Sequence, residues 1–295
     1  MHDYILSCCS TCDLTAQHLK DLNIEYVPFH FILDGQEYDD DLGQSISYDE
    51  FYRRMEEGAD TRTSQVNVSE YVEFFTPFLE AGKDILHVSV SSGLSGSCNS
   101  ALNAARILKE RYPDRKLTVV DSLAAASGYG LLMDKAAQLR DEGMSLDELA
   151  SWLNENKLKL HHWFFSTDLK YYVKGGRISK ASGFVGTVLG ICPLLNVDLN
   201  GRLMPREKVR SKKKVIRQIV KMMEQHAQGG ADYDGKVYLC QSACMEDAQA
   251  VADLVKEKFP RMNGEPLINH IGATIGSHSG PGTVALFFWG DPRKN

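Results

Sequence analysis

Two loops in this sequence hold the side chains best placed to do chemistry. Ile85 to Gly96 reads ILHVSVSSGLSG, an apolar, β-branched run that falls into serines and glycines, with a helical pattern from Ser97 onward. A strand that delivers such a turn to a helix N-terminus offers unpaired N–H groups, the positive end of the helix dipole and nearby hydroxyls, a combination suited to an anion. Near the other end, Gly272 to Phe288 reads GATIGSHSGPGTVALFF and sets His278 between two serines in a glycine-rich turn. Ser95, in Gly93-Leu94-Ser95-Gly96-Ser97, almost makes the G-x-S-x-G nucleophile elbow, but Ser97 stands where the last glycine should be. Three roles are open to it: donor to a ligand oxygen, nucleophile of a serine-dependent acyl hydrolase or transferase with His278 as base, or cap of the next helix.

Other candidates are weaker alone. Thr63-Ser64-Gln65 is a hydroxyl-rich loop that could bind a ligand or simply lead the next helix. Arg177, after Lys174-Gly175-Gly176, could contact an anion, bridge two domains or lie on the surface. The basic run Arg206, Lys208, Arg210, Lys212, Lys213 and Lys214 reads as a solvated helix start or as a docking patch for an acidic or phosphate-bearing partner. Cys9-x-x-Cys12 has redox or metal spacing, yet no second such pair occurs, so a turn of small side chains is the expectation. His161-His162 reads as a surface or domain-boundary pair. No GxxxxGK[ST] occurs and no G-x-G-x-x-G follows a strand, so nucleotide binding finds no support.

The elements that must position these residues alternate between strand and helix. Strands are expected at Tyr4 to Ser7, Ile24 to Leu33, Ile85 to Val90 and Leu117 to Val120, and Asp34-Gly35 marks a hairpin. Helices are expected at Leu14 to Leu22 (capped by Thr11 or Asp13), Tyr48 to Glu57 (capped by Ser47), Val68 to Ala81, Ser97 to Tyr112 and Ala124 to Glu142. The acidic tract Glu37 to Asp41 reads as exposed. This is the pattern of a parallel sheet covered by helices, whose strand C-termini bind ligands; Thr63, Ser95 and Ser122 fall at or just past such ends.

The alternation weakens near Asn154 to Leu160, which divides the chain into an N-terminal α/β domain (1–155) and a C-terminal mixed-sheet α/β domain (156–295). In the second, strands are expected at His162 to Ser166, Leu203 to Val209, Lys236 to Cys240, Gly272 to Ile275 and Val284 to Phe288, and helices at Lys212 to His226 and Met245 to Lys258. Gly183 to Leu195 is apolar with glycines at 183, 186 and 190, a spacing that predicts a helix with a bare face for a ligand tail.

Composition narrows the classes further. The 295 residues carry a net charge of −6, which argues against a nucleic-acid partner. No stretch reaches the ~20 apolar residues of a membrane helix, so no stable membrane insertion is expected. The N-terminus has neither a basic region nor a long apolar core, so a cytoplasmic location is expected. With no nucleotide motif and an apolar segment at hand, a carboxylate-headed ligand with a long tail suits this inventory best.

These residues also carry a family likeness. STCDL (Ser10 to Leu14), TSQ (Thr63 to Gln65), VSSGLSGS (Val90 to Ser97), VVDS (Val119 to Ser122), DLKYYVKGGRIS (Asp168 to Ser179), KVR (Lys208 to Arg210) and IGSHSGPGTVALFF (Ile275 to Phe288) occur in the order of the DegV family, which the chain resembles over nearly its full length. The resemblance implies two α/β domains enclosing a long-chain fatty acid such as palmitate, stearate or oleate, with no cofactor. It implies that Thr63 and Ser95 hold the carboxylate and that His278 completes the head-group network, with Arg177, Ser64, Gly96, Ser122 and Gly280 in support. It further implies a non-catalytic carrier that presents the acyl group to a fatty acid kinase resembling dihydroxyacetone kinase and carries the acyl phosphate towards phospholipid synthesis. Two departures stand out: Cys8-Cys9 replaces the family's common Thr-Asp, and TSQVN replaces TSQPS.

Overall fold

In the computed structural model, which describes residues 4–179 and 190–294, the chain begins with β1 (Tyr4–Cys9), α1 (Ala16–Asp21), β2 (Glu25–Val27), β3 (His30–Leu33) and β4 (Gln36–Asp39). It continues through α2 (Tyr48–Glu56), β5 (Thr61–Ser64), α3 (Val68–Glu80), β6 (Asp84–Ser89), α4 (Ser97–Arg111) and β7 (Leu117–Asp121). Then come α5 (Ala126–Asp141), α6 (Leu146–Asn156), β8 (Leu160–Ser166), α7 (Lys170–Lys174), β9 (Ile191–Val197) and β10 (Leu203–Arg210). The chain closes with α8 (Lys212–His226), β11 (Tyr238–Gln241), α9 (Met245–Lys258), β12 (Leu267–His270), α10 (Ala273–Ser279) and β13 (Thr283–Trp289).

Strands β2-β1-β6-β7 form a wholly parallel sheet, as the strand–helix alternation requires. Strands β10-β9-β8-β13-β11-β12 form a mixed sheet in which the β11–β12 pair is parallel and the other pairs antiparallel. A third sheet, β4-β3-β5, was not foreseen. Its cause is Pro28, which lacks the N–H a continuing strand would donate. The expected strand Ile24 to Leu33 therefore breaks in two: β2 joins β1, while β3 turns away to pair with β4 and β5. The β3–β4 hairpin closes on Asp34 (φ 51°) and Gly35 (φ 84°), the left-handed pair that a two-residue primed turn demands. Thr61–Ser64, expected as a loop, is β5, so Thr63 is held by strand pairing opposite Phe31.

Other boundaries shift for local reasons. Thr15, rather than Thr11 or Asp13, caps α1 by accepting from the His18 N–H at 3.1 Å. Ser47 caps α2, but Glu50 pairs with Arg53 and leaves the capping box half made. Helix α6 went unread although Ser145 and Glu148 form a complete capping box at its start. In the acidic tract, Asp40 is buried.

Two readings in the second half need correction. Ile191–Val197, placed in a glycine-faced helix, is the strand β9 between β10 and β8; residues 183–189 of that reading lie outside the described residues. Gly272 to Ile275, read as strand, leads into and forms the start of α10. A four-residue apolar run does not distinguish the two states. Tertiary contacts decide it here: carboxylates from the N-terminal half capture the Gly272 and Thr274 N–H groups.

Helix α5 lies between the parallel and mixed sheets and is buried along most of its length. A Cβ at Gly130 would stand 2.6 Å from the Cys12 carbonyl oxygen, and one at Gly128 would stand 2.4 Å from His162 Nε2 and 2.5 Å from the Phe287 ring. The bare helix thus touches elements of both halves. Asp134, buried on the same helix, takes Lys236 Nζ at 2.8 Å on each carboxylate oxygen and the Tyr238 hydroxyl, a paired burial that offsets the desolvation of the charge.

Candidate binding site

A cavity of about 520 Å³ opens between these elements, within the ~300–1,000 Å³ span of small-molecule sites. Its polar end is assembled from four separate segments: Thr63 and Ser64 on β5 followed by Gln65, Ser95 and Gly96 before α4, Arg177 after α7, and His278 on α10. Phe29, Val90, Phe164, Val197, Ile271 and Phe287 supply much of the apolar wall. Along β13, Thr283, Ala285 and Phe287 all face the cavity, since alternate strand residues share a face.

The polar end has a defined proton order. Arg177 Nη1 lies 3.2 Å from His278 Nδ1, and His278 Nε2 lies 2.7 Å from Thr63 Oγ1. A guanidinium only donates, so Nδ1 accepts; the neutral ring then carries its proton on Nε2 and donates it to Thr63. Burial, reinforced by the Arg177 charge, pulls the His278 pKa down to about 3, which keeps the ring neutral. Thr63 accepts from the histidine, and its own hydroxyl proton is left for a ligand oxygen.

Close approach makes the relay possible. A Cβ at Gly175 would stand 2.1 Å from His278 Nδ1, and one at Gly96 would stand 2.3 Å from Gln65 Oε1. Arg177 is fixed by Nη1 to the Gly175 carbonyl (2.6 Å) and by Nε and Nη2 to the Leu94 carbonyl (3.3 and 3.1 Å), which ties it to the serine loop. Among the described residues that line the cavity, Arg177 carries the single fixed charge, and no carboxylate pairs with it. The cavity thus pairs one cationic, hydroxyl-bearing end with largely apolar walls.

Ser95 lines this end and accepts from the Ser97 N–H at 3.2 Å, but Gly96 is the N-cap of α4 and no side chain caps it, so the capping role expected of Ser95 is not filled. The nucleophile geometry is not assembled. Both His278 nitrogens are committed to Arg177 and Thr63, and its accepting lone pair faces a cation, so it is poorly set to take a proton from Ser95.

The supporting residues separate. Ser64 and Gly96 line the cavity. Ser122 does not; its hydroxyl closes a turn with Ala124, after which Ala125 and Ala126 reach the wall. Gly280 is also outside the lining: at φ 69° it ends α10, and a Cβ there would stand 2.0 Å from the Tyr171 ring.

Sequence reading missed His162. Both histidines of the pair are buried, because consecutive strand residues face opposite ways and each side of β8 is covered. His162 reaches the cavity wall, and His161 stacks on Phe288 and His226 with ring centroids 5.2 and 5.0 Å apart. The cysteine cluster is also rearranged relative to its spacing: Cys8 faces Cys12 (Sγ–Sγ 3.8 Å), while Cys9 contacts the Tyr71 hydroxyl at 3.4 Å. The apolar walls come from strands, the loops beside them, and residues of α5, α7 and α10, since Ile191–Val197 form a strand and no bare-faced helix. Among the described residues, no helix is long and apolar enough to cross a membrane.

The chain and its fold match known proteins along nearly the whole length. A family model described as "Uncharacterised protein, DegV family" matches residues 9–291. A DegV domain-containing protein of Clostridium perfringens is 37% identical over 294 residues, covering 100% of both chains. The chain belongs to the DegV family. Among solved structures, a fatty-acid-binding DegV family protein from Thermus thermophilus is 29% identical with a TM-score of 0.85, covering 98% of this chain and 100% of that one. A stearic acid-binding protein from Eubacterium ventriosum is 26% identical with a TM-score of 0.85, covering 96% and 97%.

Proposed function

We propose that this protein binds a long-chain fatty acid, such as palmitate, stearate or oleate, with its carboxylate at Thr63 and Ser95, backed by His278 through Thr63, and its tail along the apolar walls. One observation carries the reading: the Arg177–His278–Thr63 relay puts a fixed positive charge and a free hydroxyl proton at one end of a cavity that is otherwise largely apolar. A carboxylate leaving water needs charge-assisted hydrogen bonds there. Each buried methylene adds on the order of 0.8 kcal/mol, so a tail of about sixteen carbons dominates the affinity. The fatty-acid-binding relatives from Thermus thermophilus and Eubacterium ventriosum support the same ligand class.

The protein acts as a non-catalytic cytoplasmic carrier that presents the carboxylate to a dihydroxyacetone-kinase-like fatty acid kinase. The family likeness supports this, and so does the exposure of Ser64, Gln65 and Gly96, which puts the polar end within reach of a partner. The basic run on β10 and the start of α8 is a second surface for such docking, with Lys212 already paired to Asp247 at 2.9 Å.

Mass spectrometry of a solvent extract of the purified protein tests the ligand. Intact long-chain fatty acid is expected, with less in the Thr63→Ala/Ser95→Ala variant. An extract free of fatty acid, or unchanged lipid in the double variant, would overturn the assignment. ATP-dependent acyl phosphate formation with the kinase added tests the partner.

A further inference from the structure

The start of α10 rests on a feature the head-group network does not use. Two carboxylates, Asp13 and Asp40, are 3% and 2% exposed and converge on the same stretch of backbone. Asp13 Oδ1 accepts from the Gly272 N–H at 3.1 Å, and Asp40 Oδ2 accepts from the Thr274 N–H at 3.3 Å. A Cβ at Gly272 would stand 2.8 Å from Asp13 Oδ1 and 3.7 Å from both oxygens of Asp40. Asp13 Oδ2 is buried with no hydrogen-bond partner. The other titratable groups around the pair are Cys12, Tyr26, Asp41, Tyr48 and Tyr52, Cys240, and His270, which stacks on Tyr48. Among the described residues, no lysine or arginine pairs with either carboxylate.

Two buried negative charges on one backbone stretch, with peptide N–H groups and the Ser10 and Thr274 hydroxyls but no cation opposite, cannot both persist without a large cost. The carboxyl oxygen that lacks a partner is the natural seat of a proton. We propose that the Asp13–Asp40 pair holds one proton, seated on Asp13 Oδ2, and that both act as positioning residues, holding the start of α10 so that His278 at its far end meets Thr63 and Arg177. Burial pushes both groups above the usual carboxylate range; the Asp40 charge raises Asp13 further, while hydrogen bonds from Thr274 and Ser10 restrain Asp40, in accord with a proton on Asp13. A pair so coupled titrates as a unit.

The consequence is a dependence on pH. The native pair binds more protons than the unfolded chain from near pH 4, where ordinary carboxylates ionise, up to its own raised pKa. Stability therefore falls as pH rises through that window and levels off above it. Loss of that proton sets two anions against each other at α10 and disturbs the relay from its base.

Carboxyl ¹³C NMR of the aspartate-labelled protein, with ¹⁵N shifts of the His278 ring, reads this directly. One carboxyl of the pair is expected to stay protonated well above the usual carboxylate range, and the His278 signals to move as it ionises. Both carboxyls ionising in the usual carboxylate range, or His278 signals indifferent to the pair, would overturn the proposal. Its effect on binding rests on the fatty-acid reading and is measured by titration with cis-parinaric acid from pH 6 to 9. The parent is expected to weaken at least fivefold across the pair's ionisation, and Asp13→Asn, which mimics the protonated acid, to change less than twofold. An Asp13→Asn profile that tracks the parent would refute the coupling, and Asp40→Asn, which removes the opposing charge, supplies the comparison if Asp13→Asn does not fold. No binding at any pH would refute the fatty-acid reading, and the NMR titration would still decide the pair.

Discussion

Thr63→Val is the sharpest probe of the head-group relay. Valine keeps the shape and β-branching of threonine on β5 and removes only the hydroxyl, which accepts from His278 Nε2 and leaves its own proton for the ligand. Two effects follow and they separate. The lost hydrogen bond to a carboxylate is worth about 1.5–3 kcal/mol, so fatty-acid affinity should fall roughly 10- to 150-fold. The stranded His278 N–H lowers the stability of the free and bound protein alike, by about 1–3 kcal/mol, and so leaves the affinity ratio untouched. Displacement titration of cis-parinaric acid measures the first effect and the thermal melting of the delipidated protein the second. Thr63→Ser restores the hydroxyl and should bind within about threefold of the parent. Parent-like affinity in Thr63→Val, or equal losses in the serine and valine variants, would refute the proton order. An independent check lies in pH. With His278 held neutral down to about pH 3, parent binding should show no histidine inflection near 6.5.

Three further outcomes are expected. Ser95→Ala should weaken fatty-acid retention while the fold persists, and a fluorophosphonate probe should leave Ser95 of the parent unlabelled; a covalent Ser95 adduct would favour the hydrolase. Gly128→Ala drives a Cβ into the His162 and Phe287 rings and should cost about 1–3 kcal/mol, read as a lower melting temperature, and parent-like melting would contradict the close packing of α5. In native protein at neutral pH, a thiol reagent should spare Cys8, Cys9 and Cys240, whose thiols are fully buried and raised in pKa, and reach Cys244 first. Rapid labelling of Cys9 would show that the loop after β1 opens.

Much of the fold was legible because its signals are local. The alternation of apolar runs with capped amphipathic segments marked β1, α3, β6, α4, β7, α8 and α9 close to their observed ends, and Asp34-Gly35 marked its hairpin. Errors cluster where distant segments decide. Pro28 split one apolar run between two sheets. Thr61–Ser64 became strand only because β3 lay alongside, and α10 became helix where Asp13 and Asp40 meet its first N–H groups. His162 went unrecognised because nothing in a two-histidine dipeptide says that both faces of its strand are covered.

By itself the sequence determined the α/β class, the serine loop at a strand's end, and the residue types of a candidate anion site, all set by spacing within a dozen or so residues. Part of the segment it offered as a helix for a ligand tail is strand instead. Only the tertiary structure decided that Thr63, Ser95, Arg177 and His278, drawn from segments up to 215 residues apart, form one polar end. The same holds for which histidine nitrogen carries the proton. That depends on a guanidinium and a hydroxyl packed on either side of one ring, and chain spacing carries no information about such contacts.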